Sequence, residues 1–384
     1  MPWGVKTVER MREEFVAAVK SKGNISAMCR EYGITRKTGY KWIARASAGE
    51  ADRGRFSDRS TAPKKTVNKT PPKTEELILK CREENPAWGG KTIRKVLENS
   101  GQIDLPCAKT CNNILKRNGC IDPRESMKHR AYKRFEREAC NELWQTDFKG
   151  DFALLDGSRC YPLTILDDHS RFSIMIDAKP DTRGVRDSFE QAFLNYGLPD
   201  ALLSDNGSEF AGFRGGYTRF ERWLMDCYVL PIHGRIMHPQ TQGKIERFHR
   251  TMKQELLNHT GFSDLADAQR QLQCWRQKYN EVRPHEALGL QVPSRVYVPS
   301  PREYKNKPTV FEYSGLYPIR KVNSWGYLRF DPVRVYLSET MADTYLEIRP
   351  CEESGSFAIC YRNFKIAEID AVAMTLLNRK IFRL

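Results

Sequence analysis

The spacing of apolar residues changes character three times along the 384-residue chain, and this constrains the fold more than any other feature. Residues 7–48 and 73–123 carry short segments of helical periodicity. From 140 to about 230 strand and helix patterns alternate, residues 244–282 read as mainly helical, and from about 305 the pattern is one of short alternating strands. This succession predicts a multidomain α/β protein, with helical modules in front, a mixed α/β body and a small β-barrel at the carboxyl end. The boundaries fall at 1–50 for the first helical domain and 51–72 for a basic linker. A second helical domain covers 73–123, a basic connector 124–138, the α/β body 139–300 and the β domain 305–384.

The front reads as two DNA-binding modules. VERMREEFVAAVKSKG is amphipathic, with Val8, Met11, Phe15, Val16 and Val19 near one face. ISAMCREYG follows, then a tight turn at Gly33-Ile34, then TRKTGYKWIARA, which opens on a threonine cap and is rich in base. Two helices joined by a glycine-containing turn form helix-turn-helix grammar. Ile34, Tyr40 and Ile43 are expected to pack inward, and Arg36, Lys37, Thr38 and Lys41 to face a groove. A three-helix protein-interaction module is the alternative. The second module, of helix-turn-helix or winged-helix type, reads EELILKCREEN, GGKTIRKVLENSG and AKTCNNILKRNG. It offers Lys91, Arg94 and Lys95 on one helix and Lys109, Thr110, Asn112, Asn113 and Lys116 on the next. Asparagine suits adenine edges, and lysine suits guanine or phosphate.

Charge agrees with this division. Residues 1–136 hold 30 Lys+Arg against 16 Asp+Glu, while the whole chain carries a net +15, so nearly all the surplus lies in front of a balanced body. A basic arm on a near-neutral body suits a polyanion gripped by one part and acted on by another. The start has no apolar stretch like a signal peptide's and no run of about 18 apolar residues occurs, which predicts a cytosolic protein working at the nucleoid. The eleven cysteines are scattered without a Cys-x-x-Cys pair, arguing against a disulfide framework or a zinc finger.

Three segments of the body place carboxylates where chemistry explains them best. In ELWQTDFKGDF, Asp147 follows an alternating extended stretch. In ALLSDNGSEF, Asp205 stands at the tip of a short apolar strand before Asn206-Gly207 turns the chain. In HPQTQGKIERFHR, a Pro/Gly-containing loop leads into a helix with Glu246 on its first turns. Each alone has an ordinary reading, as a turn former or a charge at a helix start. Together, three acidic groups in one pocket repel, and divalent cations relieve that repulsion. Two such ions, Mg²⁺ or Mn²⁺, suit phosphodiester chemistry. Asp151, Asp156, Asp167, Asp168 and Glu209 are nearby rivals; Asp167-Asp168-His169 fits a hairpin connection, and Glu209 follows Asp205 too closely. Lys244 and Arg250 flank Glu246 as expected phosphate contacts.

Taken in order, WQTDFKG, LTILDDHSRF, LSDNGSEF, HGRIMHPQTQGKIERFHRTMK and YNEVRPHEAL resemble the catalytic core of insertion-sequence transposases of the retroviral-integrase type. That resemblance spans roughly residues 137–300 and implies a ribonuclease-H-like fold. It assigns Asp147, Asp205 and Glu246 as catalytic metal ligands for two Mg²⁺ or Mn²⁺ ions. It further implies binding to terminal inverted repeats, cleavage to expose 3′-hydroxyls and joining of these to target DNA. The double-stranded DNA partners would be held by a homo-oligomer, a dimer or tetramer. Forty residues separate Asp205 from Glu246, several more than usual in such cores, and the extra length is expected as a loop in AGFRGGYTRFE. A DNA-binding regulator with an inert core and a non-transposing nuclease are the competing classes.

Overall fold

The N-terminal helices begin where a side chain can satisfy the first free backbone N–H groups. Thr7, Asn24 and Thr35 accept from Arg10, Ala27 and Thr38, opening α1 (Val8–Lys22), α2 (Ile25–Glu31) and α3 (Arg36–Ser47). A computed structural model describes residues 7–48, 56–58, 70–121, 137–212, 216–234, 243–306, 310–330, 333–351, 355–370, 375–378 and 380–384. It divides into two units, 1–69 and 70–384. The basic connector expected at 124–138 lies outside the described residues except for its end at 137–138.

In the first unit Phe15, Val16, Val19, Met28, Cys29 and Trp42 form the core. Here the inward face of α3 differs from expectation. Gly39 and Trp42 are buried and Ile43 is half-buried, whereas Tyr40 is 57% exposed. The cause is close approach: a Cβ on Gly39 would lie 2.6 Å from Cys29 Sγ and 3.0 Å from Phe15. That contact fixes the 39/42/43 stripe and turns Tyr40 outward. Val8 and Met11, in the first turn of α1, are likewise exposed. Part of the expected linker folds back. Arg12 donates to the Phe56 carbonyl at 2.6 Å, Arg45 to that of Ser57 at 3.2 Å, and the Phe56 ring lies 6.5 Å from Trp42.

The second unit begins with α4 (Pro72–Glu84), α5 (Gly90–Asn99) and α6 (Ala108–Arg117), closed around Ile78, Trp88, Ile93, Ile114 and Leu115. The body follows as β1 (Trp144–Phe148), β2 (Phe152–Ala153), β3 (Arg159–Asp167), β4 (Ser173–Lys179), α7 (Val185–Tyr196), β5 (Ala201–Ser204), α8 (Arg219–Asp226), β6 (Leu230–His233) and α9 (Gly243–Met252). A π-helical turn, Lys253–Leu257, continues α9 and precedes α10 (Leu265–Glu281). In the mixed sheet, β3 pairs antiparallel with β1, β2 and β4, whereas β1, β5 and β6 run parallel. Alternation sends Trp144, Leu163 and Ile165 to one face, against Phe189 and Phe193 of α7 and Trp223 of α8. Leu166 and Ile176 pack on the other face with Phe248, Met252 and Trp275. This is a ribonuclease-H-like core.

The expected loop extension is only partly a loop. Thr218 and Glu221 form a reciprocal capping box, so YTRFE starts α8, and residues 213–215 lie outside the described residues. The carboxyl-terminal strands are β7 (Ile319–Lys321), β8 (Tyr327–Phe330), β9 (Val333–Tyr336), β10 (Tyr345–Pro350), β11 (Ser356–Tyr361), β12 (Phe364–Asp370), β13 (Thr375–Asn378) and β14 (Phe382–Arg383). They form an antiparallel sheet in the order β13-β12-β11-β10-β7, with β14 also on β12, and a separate β8-β9 hairpin bridged to it at Val322–Leu328. Among the described residues no ladder joins β13 back to β7, so the sheet is open where a barrel was expected.

Candidate active site

Strand β1 lies centrally, and its alternation puts Gln145 and Asp147 on the face covered by α9. The parallel register pairs Gln145 with Leu203 of β5. Asp147 and Asp205 each stand two residues beyond that pair, at the carboxyl ends of neighbouring strands about 4.8 Å apart. Such strand ends are the usual binding edge of an α/β sheet. α9 crosses the same edge. Its Ile245, Phe248, His249 and Met252 are buried, which leaves Glu246 on the exposed side of its first turn.

Asp147 lies within reach of the charges of both other carboxylates. Burial, then the charge of Asp205, and further the charge of Glu246 push Asp147 up to about 7, against a main-chain hydrogen bond from Phe148 and the charge of Lys149. Asp205 Oδ1 accepts from the Gly207 N–H at 3.0 Å, which fixes its side chain at the turn. Among the described residues no three His, Cys, Asp or Glu side chains close to metal-holding spacing. The geometry is therefore electrostatic convergence rather than a formed coordination shell. As a donor set, three carboxylates offer only hard oxygens, which fit Mg²⁺ or Mn²⁺ and not a thiophilic ion. A carboxyl pushed up to about 7 by burial and then by the charges of Asp205 and Glu246 is the kind of group a cation would relieve.

Residues outside the expected set complete the site. Thr164, paired directly with Asp147 across β3–β1, donates its hydroxyl to the Asp147 carbonyl at 2.8 Å and meets His249 Nε2 at 2.7 Å. His249 Nδ1 lies 3.7 Å from Asp147 Oδ2. Burial and the charge of Lys149 depress His249 to about 3, so its ring is neutral. Sequence reasoning had a route to Thr164, since cross-strand partners of a functional residue share its face.

Lys244 is not placed as a free phosphate contact. Its side chain is 14% exposed and ion-paired with Asp168, whose side chain is 2% exposed. Asp168 also takes Gln145 Nε2 at 2.7 Å, while Asp167 takes the Asn141 and Ser170 N–H groups at 2.8 Å, so both carboxylates hold the β3–β4 turn. Asp151 pairs with Arg159, and Asp156 accepts from Ser158 at 2.6 Å. Glu209 lies in the turn after Asp205, and Arg250 is exposed on α9.

In the helical modules Arg36, Lys37 and Lys41 are exposed, and Thr38 is half-buried at the start of α3. Lys109, Asn113 and Lys116 are exposed on α6, and the half-buried Thr110 meets Cys107 Sγ at 3.3 Å. Asn112 is otherwise engaged: its Oδ1 accepts the Gly90 N–H at 2.8 Å, capping α5. Arg94 and Lys95 pair with Glu98 at 3.7 and 3.3 Å, and Lys91 with Glu286 at 3.3 Å.

A helix-turn-helix domain family model matches residues 11–55, and two integrase core domain models match residues 137–239 and 229–293. An uncharacterized 31.7 kDa protein of insertion element IS407 from Burkholderia multivorans is 31% identical over 176 residues, which cover 45% of this chain and 61% of that protein. The transposase for transposon Tn552 from Staphylococcus aureus is 29% identical over 154 residues, 34% of this chain and 31% of that one. The chain thus spans less than two thirds of these relatives. Among solved structures, the HTLV-2 integrase catalytic core domain in complex with magnesium matches at 15% identity and a TM-score of 0.32, covering 41% of this chain and 97% of that one.

Proposed function

We propose that this chain, which carries a helix-turn-helix domain and an integrase core domain, is a metal-dependent DNA transposase. It binds the terminal inverted repeats of its own element, cleaves there to expose 3′-hydroxyls, and joins them to target DNA within a homo-oligomer. The observation that carries this is the placement of Asp147 and Asp205, each two residues beyond the paired Gln145 and Leu203 at neighbouring strand ends, on the face packed by the helix that bears Glu246; burial and the charges of Asp205 and Glu246, which push Asp147 up to about 7, agree with it.

In this reading Asp147, Asp205 and Glu246 hold two Mg²⁺ or Mn²⁺ ions. Held there, such ions would supply Lewis-acid chemistry suited to attack of water or a sugar hydroxyl on a phosphodiester. The chain's own part is positional. Thr164 fixes the Asp147 main chain, and the neutral His249 ring packs beside the carboxylate without adding charge. Gly207 fixes Asp205. Lys149, half-buried beside Asp147, and the exposed Lys253 bring positive charge to the rim, where a DNA backbone would pass. The exposed bases of α3 and α6 supply end recognition.

The test is joining of element-end DNA to a plasmid with Mg²⁺ or Mn²⁺. Asp147→Asn, Asp205→Asn and Glu246→Gln keep side-chain size and lose charge. Each is expected to abolish cleavage and joining while binding end DNA as the unaltered chain does. Joining at the unaltered rate in any one of them removes that residue from the site. A chain that binds ends but neither cuts nor joins is a regulator, and one that cuts without joining is a nuclease.

A further inference from the structure

The first turn of α9 carries Glu246, and the two residues immediately before it are both tied to the sheet. Lys244 Nζ pairs with Asp168 Oδ2 and also reaches the Asp168 carbonyl at 3.2 Å. The Ile245 N–H, one of the helix-start donors with no intrahelical partner, donates to Gln145 Oε1 at 3.3 Å. The same glutamine closes the circuit, since its Nε2 donates to Asp168 Oδ1 at 2.7 Å. Asp168 takes a further bond from the Arg137 N–H at 2.9 Å, and its own N–H donates to the Leu143 carbonyl at 2.9 Å. Asp168 is 1% exposed and Gln145 2%.

We propose that Lys244, Asp168 and Gln145 are positioning residues that hold the Glu246 helix in register with the Asp147 strand; this rests on the reading of those carboxylates as metal ligands. Three features carry it. Gln145 lies two residues before Asp147 on the same strand and face, so its amide is as fixed as the strand. That amide spends its oxygen on α9 and its nitrogen on Asp168, so one planar group sets the distance between helix and sheet. Lys244 neutralises Asp168, which would otherwise be a buried carboxylate without a counter-charge and costly to keep ionised. The two ties bracket the approach to Glu246, and movement of the helix start relative to β1 requires breaking both. A metal held between a strand carboxylate and a helix carboxylate is sensitive to that distance, and partners lying outside the ligands themselves typically change metal affinity by about 10- to 100-fold.

The rival role for Lys244 is direct contact with DNA phosphate, and the two separate in one set of measurements on the full chain. Mn²⁺ binding is followed by calorimetry, end-DNA affinity by anisotropy, and joining at saturating DNA by product yield, for Lys244→Met, Lys244→Arg and Gln145→Asn. Positioning predicts that Lys244→Met weakens Mn²⁺ binding about tenfold and slows joining at saturating DNA, with end-DNA affinity unchanged within about twofold. Lys244→Arg restores most of the Mn²⁺ affinity. Gln145→Asn keeps the amide but shortens its reach, so it weakens Mn²⁺ binding in the same sense. It carries the test if Lys244→Met does not fold. Unchanged Mn²⁺ affinity in Gln145→Asn and in a folded Lys244→Met overturns the proposal. So does a loss of end-DNA affinity in Lys244→Met with full joining at saturating DNA. If the unaltered chain joins no DNA but the Mn²⁺ pattern holds, the positioning stands and the transposase reading falls. If the unaltered chain takes up no Mn²⁺, both fall.

Discussion

Histidine protonation at two buried positions shows how far single side chains are set by their surroundings. The Thr164 hydroxyl is committed as donor to the Asp147 carbonyl, so it accepts from His249, which puts the ring proton on Nε2 and turns the bare Nδ1 toward Asp147. His285 is neutral for a related reason. Burial, then the charges of Arg283 and Arg171, and further that of Arg247 hold it down to about 3, against a main-chain bond at Tyr279. Its ring meets Tyr279 edge-on at 4.6 Å, and its Nε2 is buried with no hydrogen-bond partner. Unfolded histidine titrates near 6.5. Between about 6.5 and 3 the unfolded chain therefore binds a proton that the folded chain does not, and stability falls as pH falls through that window. The slope approaches about 1.4 kcal/mol per pH unit for one such residue. His285→Asn removes this contribution. Urea unfolding at pH 7 and pH 5 should show a smaller acid loss in the variant than in the unaltered chain. An equal loss in both would mean that His285 is not neutral in the fold.

At the scale of elements, glycine decides how closely helices approach. A Cβ on Gly90 would meet the Ala108 carbonyl and Asn112 Oδ1 at 2.7 Å and the Asn112 N at 2.8 Å, whereas one on Gly89 would meet nothing within 4 Å. Alanine favours a helix over glycine by about 1 kcal/mol, so propensity alone would make Gly90→Ala neutral or stabilising, whereas Gly89 is the extended N-cap of α5, where glycine is preferred to alanine. Packing reverses that order: Gly90→Ala forces α5 from α6 and costs about 1–3 kcal/mol, while Gly89→Ala meets open space and loses only the glycine cap, about 0.5 kcal/mol. Thermal melting that fails to rank them so would refute this close approach. Such contacts also explain what was legible in the sequence. Helix starts at Thr7, Asn24 and Thr35 and the strands around Asp147 and Asp205 follow from local rules of capping and alternation. The inward face of α3 did not, because Gly39 against Cys29 and Phe15, not the apolarity of Tyr40, sets its rotation. Lys244 looked like a phosphate contact since its acid, Asp168, is 76 residues away in the chain and meets it only in the fold. Asn112 looked like a base reader because nothing local shows that the Gly90 N–H needs an acceptor.

At the scale of the whole molecule, the two helical modules are differently attached. The first has its own core within residues 1–69. The second is fastened to the α/β body. Trp88 Nε1 donates to Glu255 Oε1 at 3.0 Å, Lys278 lies 5.3 Å over the Trp88 ring, and Lys91 reaches Glu286. Glu255, on the π-helical turn that continues the Glu246 helix, also takes Trp275 Nε1 at 3.2 Å and Arg283 Nε at 2.7 Å. Separate cores mean that changing the exposed bases of one module leaves the other folded. On end DNA, footprinting should therefore resolve two protected blocks. Replacing Arg36, Lys37 and Lys41 with Ala should erase one, and replacing Lys109, Asn113 and Lys116 the other; Asn112 is left intact because it caps α5. Each triple change strips charged or polar groups from an exposed helix face and should flatten the salt dependence of binding. The slope of log K against log salt should fall by up to about 0.9 for each phosphate no longer neutralised. One block that disappears whichever set is replaced would show that the modules bind as a unit, and the independence inferred from their separate cores would be wrong.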